Sequence, residues 1–223
     1  MGAVQLFTFY NMVFLARALA TTVALSLIGC GTGLACGFCL ALVTNSRAAG
    51  ALPLRLAAML FIGTFRRVPF LVTLFLVFFG TQALHAGLSL FSVALVSVCL
   101  IASAYLAEII RAGLAAVRQT EVEAALVMNL SAPQRLVYVV LPQAWRVILP
   151  PAFAFFVLFI KDTALASQIG LIELTYAGKV LNDRGFPATL VYATILVLYF
   201  LVSYPLAFVG AWLERRLAPS RNR

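Results

Sequence analysis

The chain is 223 residues long, with 64% of them hydrophobic, only 10% charged and a mean hydropathy of +1.06. A water-soluble domain of this length keeps about a quarter of its residues charged to cover its surface, so a purely soluble fold is excluded. The net charge of +9 does not point to nucleic acid, because the arginines collect between apolar runs and at the C-terminus rather than on a soluble basic face.

In chain order, the first apolar run starts weakly between Met1 and Phe14, carries no basic n-region and merges into a full span. No cleavable signal peptide is expected from it. Five helices are expected, near Leu19–Val43, Leu56–Gly80, Gly87–Ile110, Val147–Ile172 and Ala188–Leu213. Each matches the about 20 helical residues that cross a hydrocarbon core of roughly 30 Å. The fold class is therefore all-α, a polytopic membrane protein forming a single domain over residues 1–223.

The first span carries Ser26, Gly29, Gly33 and Gly37 along one ridge. Small residues at that spacing let helix backbones approach closely where lipid supplies no hydrophobic drive. Cys30, Cys36, Cys39 and Cys99 lie inside apolar runs. Without histidines beside them, they read as small reduced core residues rather than a metal site or a disulfide scaffold. No internal repeat is evident, which weighs against an inverted-repeat secondary transporter.

Orientation follows from where Lys and Arg fall. One side receives Arg47, Arg55, Arg111, Arg118, Arg135, Arg146, Arg215, Arg216, Arg221 and Arg223; the other receives Arg17, Lys179 and Arg184. The first side is expected to be cytoplasmic, with the N-terminus outside and the C-terminus inside. The membrane is then a bacterial inner (cell) membrane if the chain is bacterial, as the resemblance below implies.

The one sizeable polar stretch is Arg111–Arg146, between the third and fourth spans. Glu121 to Leu130 has helical character, with Val122, Ala125, Leu126 and Asn129 near one face. Asn129 suits a helix stop, because Asn tolerates the left-handed conformation. Ser131 can then cap a second short helix with Pro133 in its first turn. A compact helix–turn–helix at the membrane surface is expected, with a small apolar knob shaped to seat in a partner's groove.

These residues resemble a known family. Glu123, Ala124 and Ala125, then Asn129, then Val139, Leu141 and Pro142 follow the loop signature of bacterial ABC-importer permeases, which runs Glu-Ala-Ala, three residues, Gly, nine residues, Ile, one residue, Leu-Pro. Asn129 replaces the usual Gly and Val139 the usual Ile, and both keep the backbone or packing role. Phe65 to Pro69, Ala104 to Gly113 and Lys161 to Ser167 resemble the polar amino-acid branch, although Arg67 and Val68 depart from its Phe-Arg-Gly-Thr-Pro motif. The likeness runs from about Thr21 to Leu217.

The resemblance implies a permease subunit of an importer for a polar amino acid. It makes the loop around Glu121, Glu123, Ala124, Ala125, Asn129 and Leu130 the coupling helix that docks on an ATPase. It further implies a second permease subunit, identical or merely similar, two ATPase subunits and an extracytoplasmic binding protein. Neither Lys161 nor Lys179 follows a Gly-x4-Gly-Lys phosphate loop, so the chain is expected to be no enzyme and to bind no cofactor. ATP and Mg2+ would sit on the partner ATPases.

Charges within the spans mark the candidate pathway. Arg66 and Arg67 fall about 10 residues into the second span, roughly 15 Å deep, beside Pro69, which breaks the helix. Lys161, Asp162 and Thr163 fall near or beyond mid-depth of the fourth span, and Glu173 at its outer end. An ionisable group near the bilayer centre costs on the order of 3 kcal/mol or more, so each is a functional candidate. One reading pairs a buried arginine with Asp162 to hold spans two and four together. The other sets Arg66 or Arg67 against a solute α-carboxylate, with Asp162 or Glu173 favouring an ammonium. Paired arginines lean toward an acidic or amide solute and the carboxylates toward a basic one, and both stay open. Glu108 and Arg111 read as an intrahelical pair, and His85 has no assigned role. The rivals are an ion-coupled secondary amino-acid transporter and a membrane enzyme; the latter lacks convergent catalytic groups.

Overall fold

A computed structural model describes residues 6–46 and 49–217, and every regular element among them is helical. Arg47, Arg221 and Arg223, which entered the charge asymmetry, lie outside the described residues, as does the Met1 end of the first run.

The first helix, α1 (Phe9–Asn45), begins well before the expected Leu19. No Gly or Pro interrupts its first turns, and there Leu15 and Ala18 are buried against Leu174, Ala177, Leu181 and Ile195. At 1.5 Å per residue α1 is about 55 Å long, more than a bilayer core requires. Its small-residue ridge lies against the helix of the third span, α4 (Leu90–Ala115), which opens on a Ser89 cap accepting the Ser92 N–H at 3.1 Å. A Cβ on Gly29 would meet Val98 at 2.1 Å, one on Gly33 would meet Ala102 at 2.5 Å, and one on Gly37 would meet the Ala107 nitrogen at 2.8 Å. The two sets of numbers rise together, so α1 and α4 run parallel.

The expected second span is two helices, α2 (Leu52–Phe65) and α3 (Phe70–Ala83), bent by 112°. Pro69 lacks the N–H that would continue the ladder and disfavours α geometry at Val68. The Arg67 and Val68 N–H groups close α2 on the Thr64 carbonyl at 3.0 and 3.1 Å, and Thr73 then opens α3 on the Pro69 carbonyl at 3.2 Å. Among the described residues there are thus four single helices long and apolar enough to cross a membrane, or five spans if the bent pair is one.

The polar stretch is largely helical: α5 (Gln119–Val127), α6 (Ala132–Arg135) and a π-helical turn (Leu136–Val140) lead into α7 (Leu141–Asp162). The fourth span therefore begins before the expected Val147 and is continuous with the short helix before it. After Asp162 the chain tightens into a 3-10 segment, Thr163–Ile169, and stops at Gly170, whose φ of 85° suits a residue without Cβ. A further helix, α8 (Leu174–Asp183), fills the connection to α9 (Ala188–Leu217), whose start matches the expected fifth span. α8 lies at the Phe9 end of α1 and α5–α6 at the opposite end. Between them, Leu25, Cys30, Leu74, Val98, Leu106, Phe155 and Phe159 knit α1, α3, α4 and α7 into the main core.

Candidate functional site

The surface loop is built from local rules. α5 follows an extended Arg118, with Glu121 in its first turn, where an acid complements the helix dipole. It ends at Asn129, whose φ of 57° is left-handed. The Asn129 N–H donates to the Leu126 carbonyl at 2.9 Å and the Leu130 N–H to the Ala125 carbonyl at 3.1 Å, the paired bonds of a Schellman stop. Gln134 Oε1 then accepts from the Ser131 backbone N–H at 2.9 Å, and Arg135 Nη1 donates to the Leu130 carbonyl at 2.8 Å. Four bonds hold the turn in one shape.

Ala125 is buried, whereas Glu121, Glu123, Ala124 and Asn129 are exposed and Leu130 is half-buried. The exposed apolar knob is Leu126, Val127 and Met128, at 50%, 89% and 74% exposure. That corrects the expected face of Val122, Ala125, Leu126 and Asn129: the helix turns Ala125 inward, and the tip formed by its last turn carries the knob. Beside it, Arg118, Glu121, Gln143, Arg146 and Glu214 line a cavity of about 650 Å3 that joins α5 to the start of α7 and the end of α9.

The charges near the break assemble differently from expectation. Arg66 Nη1 lies 3.6 Å from Glu108 Oε2, and Arg111 Nε donates to the same oxygen at 3.0 Å. Glu108 is thus shared by Arg111 on its own helix and Arg66 from the break. No Arg–Asp162 ion pair occurs among the described residues, so a buried arginine does not hold the second span to the fourth. α4 and α7 run in opposite directions, with Gly113 against Ile148 and Tyr105 against Phe155. Arg66 therefore comes level with the last two turns of α4, closer to the α5 end of the bundle than its place in a straight span indicated. Tyr105 Oη donates to the Arg66 carbonyl at 3.1 Å. Arg67 folds back to donate to the Gly63 carbonyl at 2.8 Å and borders a cavity with Met59 and Leu60.

Lys161 and Asp162 close α7, Lys161 exposed and Asp162 half-buried, in a shared field but without a contact ion pair. Thr163 is buried, its Oγ1 donating to the Ile160 carbonyl at 2.6 Å. Lys161 also borders a groove between α7 and α9 with Tyr199, Ser203 and Tyr204.

Glu173 stands apart from these. It is fully buried and caps α8, accepting the Tyr176 and Thr175 N–H groups at 2.7 and 2.9 Å and the Tyr199 hydroxyl at 2.9 Å. Thr22 Oγ1 of α1 accepts the next N–H, from Leu174, at 3.1 Å. Burial pushes the Glu173 carboxyl above its usual range, against the opposing pull of those hydrogen bonds. Three separate groupings result: the α5 loop, the Arg66–Glu108–Arg111 cluster and the Glu173 knot, with Lys161–Asp162 on α7 between the last two.

Reading the sequence missed Tyr105, Tyr199 and α8. α8 had a usable signal, since Leu174, Ala177, Gly178 and Leu181 fall on one helical face and all are buried. The tyrosines had none, because their partners come from distant segments.

Comparison with known proteins fits this geometry. The family described as binding-protein-dependent transport system inner membrane component matches residues 33–219. The L-cystine transport system permease protein TcyB of Bacillus subtilis (strain 168) is 35% identical over 183 residues, 81% of this chain and 78% of the relative. The glutamine transport system permease protein GlnP of Escherichia coli (strain K12) is 31% identical over 198 residues, 88% of this chain and 89% of the relative. A solved structure described as an amino acid ABC transporter with histidines superposes with a TM-score of 0.83 at 29% identity, over 94% of this chain and 98% of that one. With its helical spans and its polar loop in the signature position, the chain belongs to the family of binding-protein-dependent transport system inner membrane components.

Proposed function

We propose that this chain is the membrane-spanning permease subunit of an ATP-driven importer for a polar amino acid, with its N-terminus outside and its α5–α6 loop and C-terminus in the cytoplasm. Two copies, or one copy with a similar subunit, would enclose the pathway. Two ATPase subunits, carrying ATP and Mg2+, would grip the loops, and an extracytoplasmic binding protein would deliver solute at the α8 end. ATP binding would bias the inward-open to outward-open equilibrium through the loop.

The observation that carries this reading is the α5 knob. Glu123-Ala124-Ala125 leads into a turn pinned at Asn129, with Leu126, Val127 and Met128 held out on a rigid tip. An exposed apolar tip at the end of a stiff helix fits a partner's groove. α5 packs on the π-helical turn that runs straight into α7, so a push on the loop has a short path into a span.

Within the pathway, Arg66, Arg67, Lys161, Asp162, Thr163 and Glu173 take divided roles. Arg66 already shares Glu108 with Arg111, whereas Arg67 has no carboxylate in ion-pair contact among the described residues and is hence the better partner for a solute α-carboxylate. Lys161 and Asp162 supply one charge of each sign beside Thr163, a pattern that suits a zwitterion. Glu173 shapes the pathway's α8 end by fixing that helix.

The test is Glu123→Arg. The variant is expected to insert and assemble normally, to co-purify with less ATPase subunit, and to lose uptake. Normal transport by Glu123→Arg would remove the loop from the coupling role. A wild-type chain that purifies from mild detergent without any ATPase, yet transports, would favour the ion-coupled alternative.

A further inference from the structure

We propose that Tyr105 is a positioning residue that ties the α2–α3 break to α7, so that displacement of α7 reaches Arg66; this rests on the coupling reading of the α5 loop. Tyr105 makes three contacts with two segments, two to Arg66 at the break and one to Phe155 of α7. Its hydroxyl donates to the Arg66 carbonyl at 3.1 Å, and the Arg66 guanidinium lies 5.9 Å from its ring centroid. Its ring stacks on Phe155 of α7 with centroids 5.4 Å apart and planes at 21°.

From Phe155 the contacts continue around the break. Phe155 stacks on Phe159 at 5.1 Å, and Phe159 meets Phe70 edge-on at 5.4 Å. Arg66 and Phe70 flank Pro69, so the rings of α4 and α7 grip the break from both sides. Arg66 is the residue that follows the last turn of α2, where intrahelical donors for its carbonyl run out. Pro69 removes one further donor, and Tyr105 supplies a replacement from another helix.

Rigid aromatic stacking transmits displacement better than a contact between flexible aliphatic chains, because the rings have few rotamers and fixed preferred offsets. The route then runs from the α5 loop through the π-helical turn and α7 to Phe155, Tyr105 and Arg66.

The experiment uses the complete transporter, purified with its own ATPase subunits, with Cys30, Cys36 and Cys39 changed to Ala and Cys99 to Ser. Spin labels go on exposed positions: Leu158 with Val96 to report α7 against α4, and Leu60 with Val96 to report α2 against α4. Distances are compared without nucleotide and after trapping with Mg2+–ATP and vanadate. Tyr105→Phe keeps the ring stack and deletes only the hydroxyl. The expected result is an unchanged α7 shift with the α2 shift cut to less than half. A full α2 shift in Tyr105→Phe overturns the proposal, as does loss of both shifts, which would mark a general packing role. If the unsubstituted protein shows no α7 shift on trapping, the coupling reading itself fails, and Tyr105 falls with it for a reason the data identify.

Discussion

Glu173 carries a carboxylate with no exposed surface, satisfied by two backbone N–H groups and one phenol. Burial disfavours its charged form more than those donors favour it, so its pKa in the fold lies above the ordinary 4.5. The folded protein therefore holds this proton more tightly than the unfolded chain does. The stability Glu173 contributes is fully present below the ordinary value and is lost as pH rises through the raised one. We expect the melting temperature of the wild type, measured relative to Glu173→Gln, to fall as pH rises above the ordinary carboxyl value. A rise over that range would mean that the hydrogen bonds outweigh burial. Residues differ sharply in how much the sequence reveals about them. Asn129 was legible because a left-handed stop is a local demand, and the short run from Glu121 to Ser131 contains all its partners. The Arg66–Glu108 contact was not, because nothing in the periodicity of either helix says which distant charge will face it.

At the scale of elements, the α1–α4 contact is the best defined packing in the bundle. The spacing of Ser26, Gly29, Gly33 and Gly37 announced a close helix contact, and the structure supplies the partner. In lipid such an interface rests on van der Waals packing rather than on expulsion of water, so its fit decides its strength. At Gly33 an added Cβ would lie 2.5 Å from the Ala102 Cβ and 3.1 Å from its backbone carbon, and backbone cannot step aside. Gly33→Val should therefore destabilise the protein by about 1–3 kcal/mol, the usual cost of overpacking. Gly31 is the control on the same helix, since its Cβ would meet nothing within 4 Å. Gly31→Val should leave thermal stability in detergent nearly unchanged. Equal losses at both positions would show that helix propensity, not the interface, sets the effect. Elements were otherwise readable in proportion to their length. The long apolar runs gave four spans directly. Pro69 marked a break in the remaining one, but a missing donor says only that a helix ends, and the 112° turn lies where Tyr105 bonds the Arg66 carbonyl and Phe159 meets Phe70. The ten residues of α8 are too short to cross a bilayer, so only the one-faced spacing of Leu174, Ala177, Gly178 and Leu181 distinguished them from a connection.

For the whole molecule, the two ends of the bundle carry very different charge. The structure fixes relative placement: α8, with Lys179 and Arg184, lies at the opposite end from α5, with Arg118 and Arg135 close by. Arg111, Arg146, Arg215 and Arg216 lie toward the α5 end, as does Arg55 near the start of α2, so the basic excess sits at one end of the bundle rather than on one side of it. Short loops rich in Lys and Arg stay on the cytoplasmic side during insertion, so the α5 end is expected to face inward. The proposed coupling role requires the same assignment, because a cytoplasmic ATPase could reach the exposed Leu126–Met128 tip only from that side. Single cysteines at Met128 and Lys179, both exposed, separate the two orientations. On intact spheroplasts of a strain expressing a background without Cys30, Cys36, Cys39 and Cys99, a membrane-impermeant maleimide should modify Lys179→Cys at once. Met128→Cys should react only after the membrane is opened. The reverse pattern would invert the topology and, by carrying the apolar tip outside, leave the ATP-driven reading without a contact for its motor. Labelling of both from outside would mean that α7, the one long helix between the two positions, does not cross the membrane.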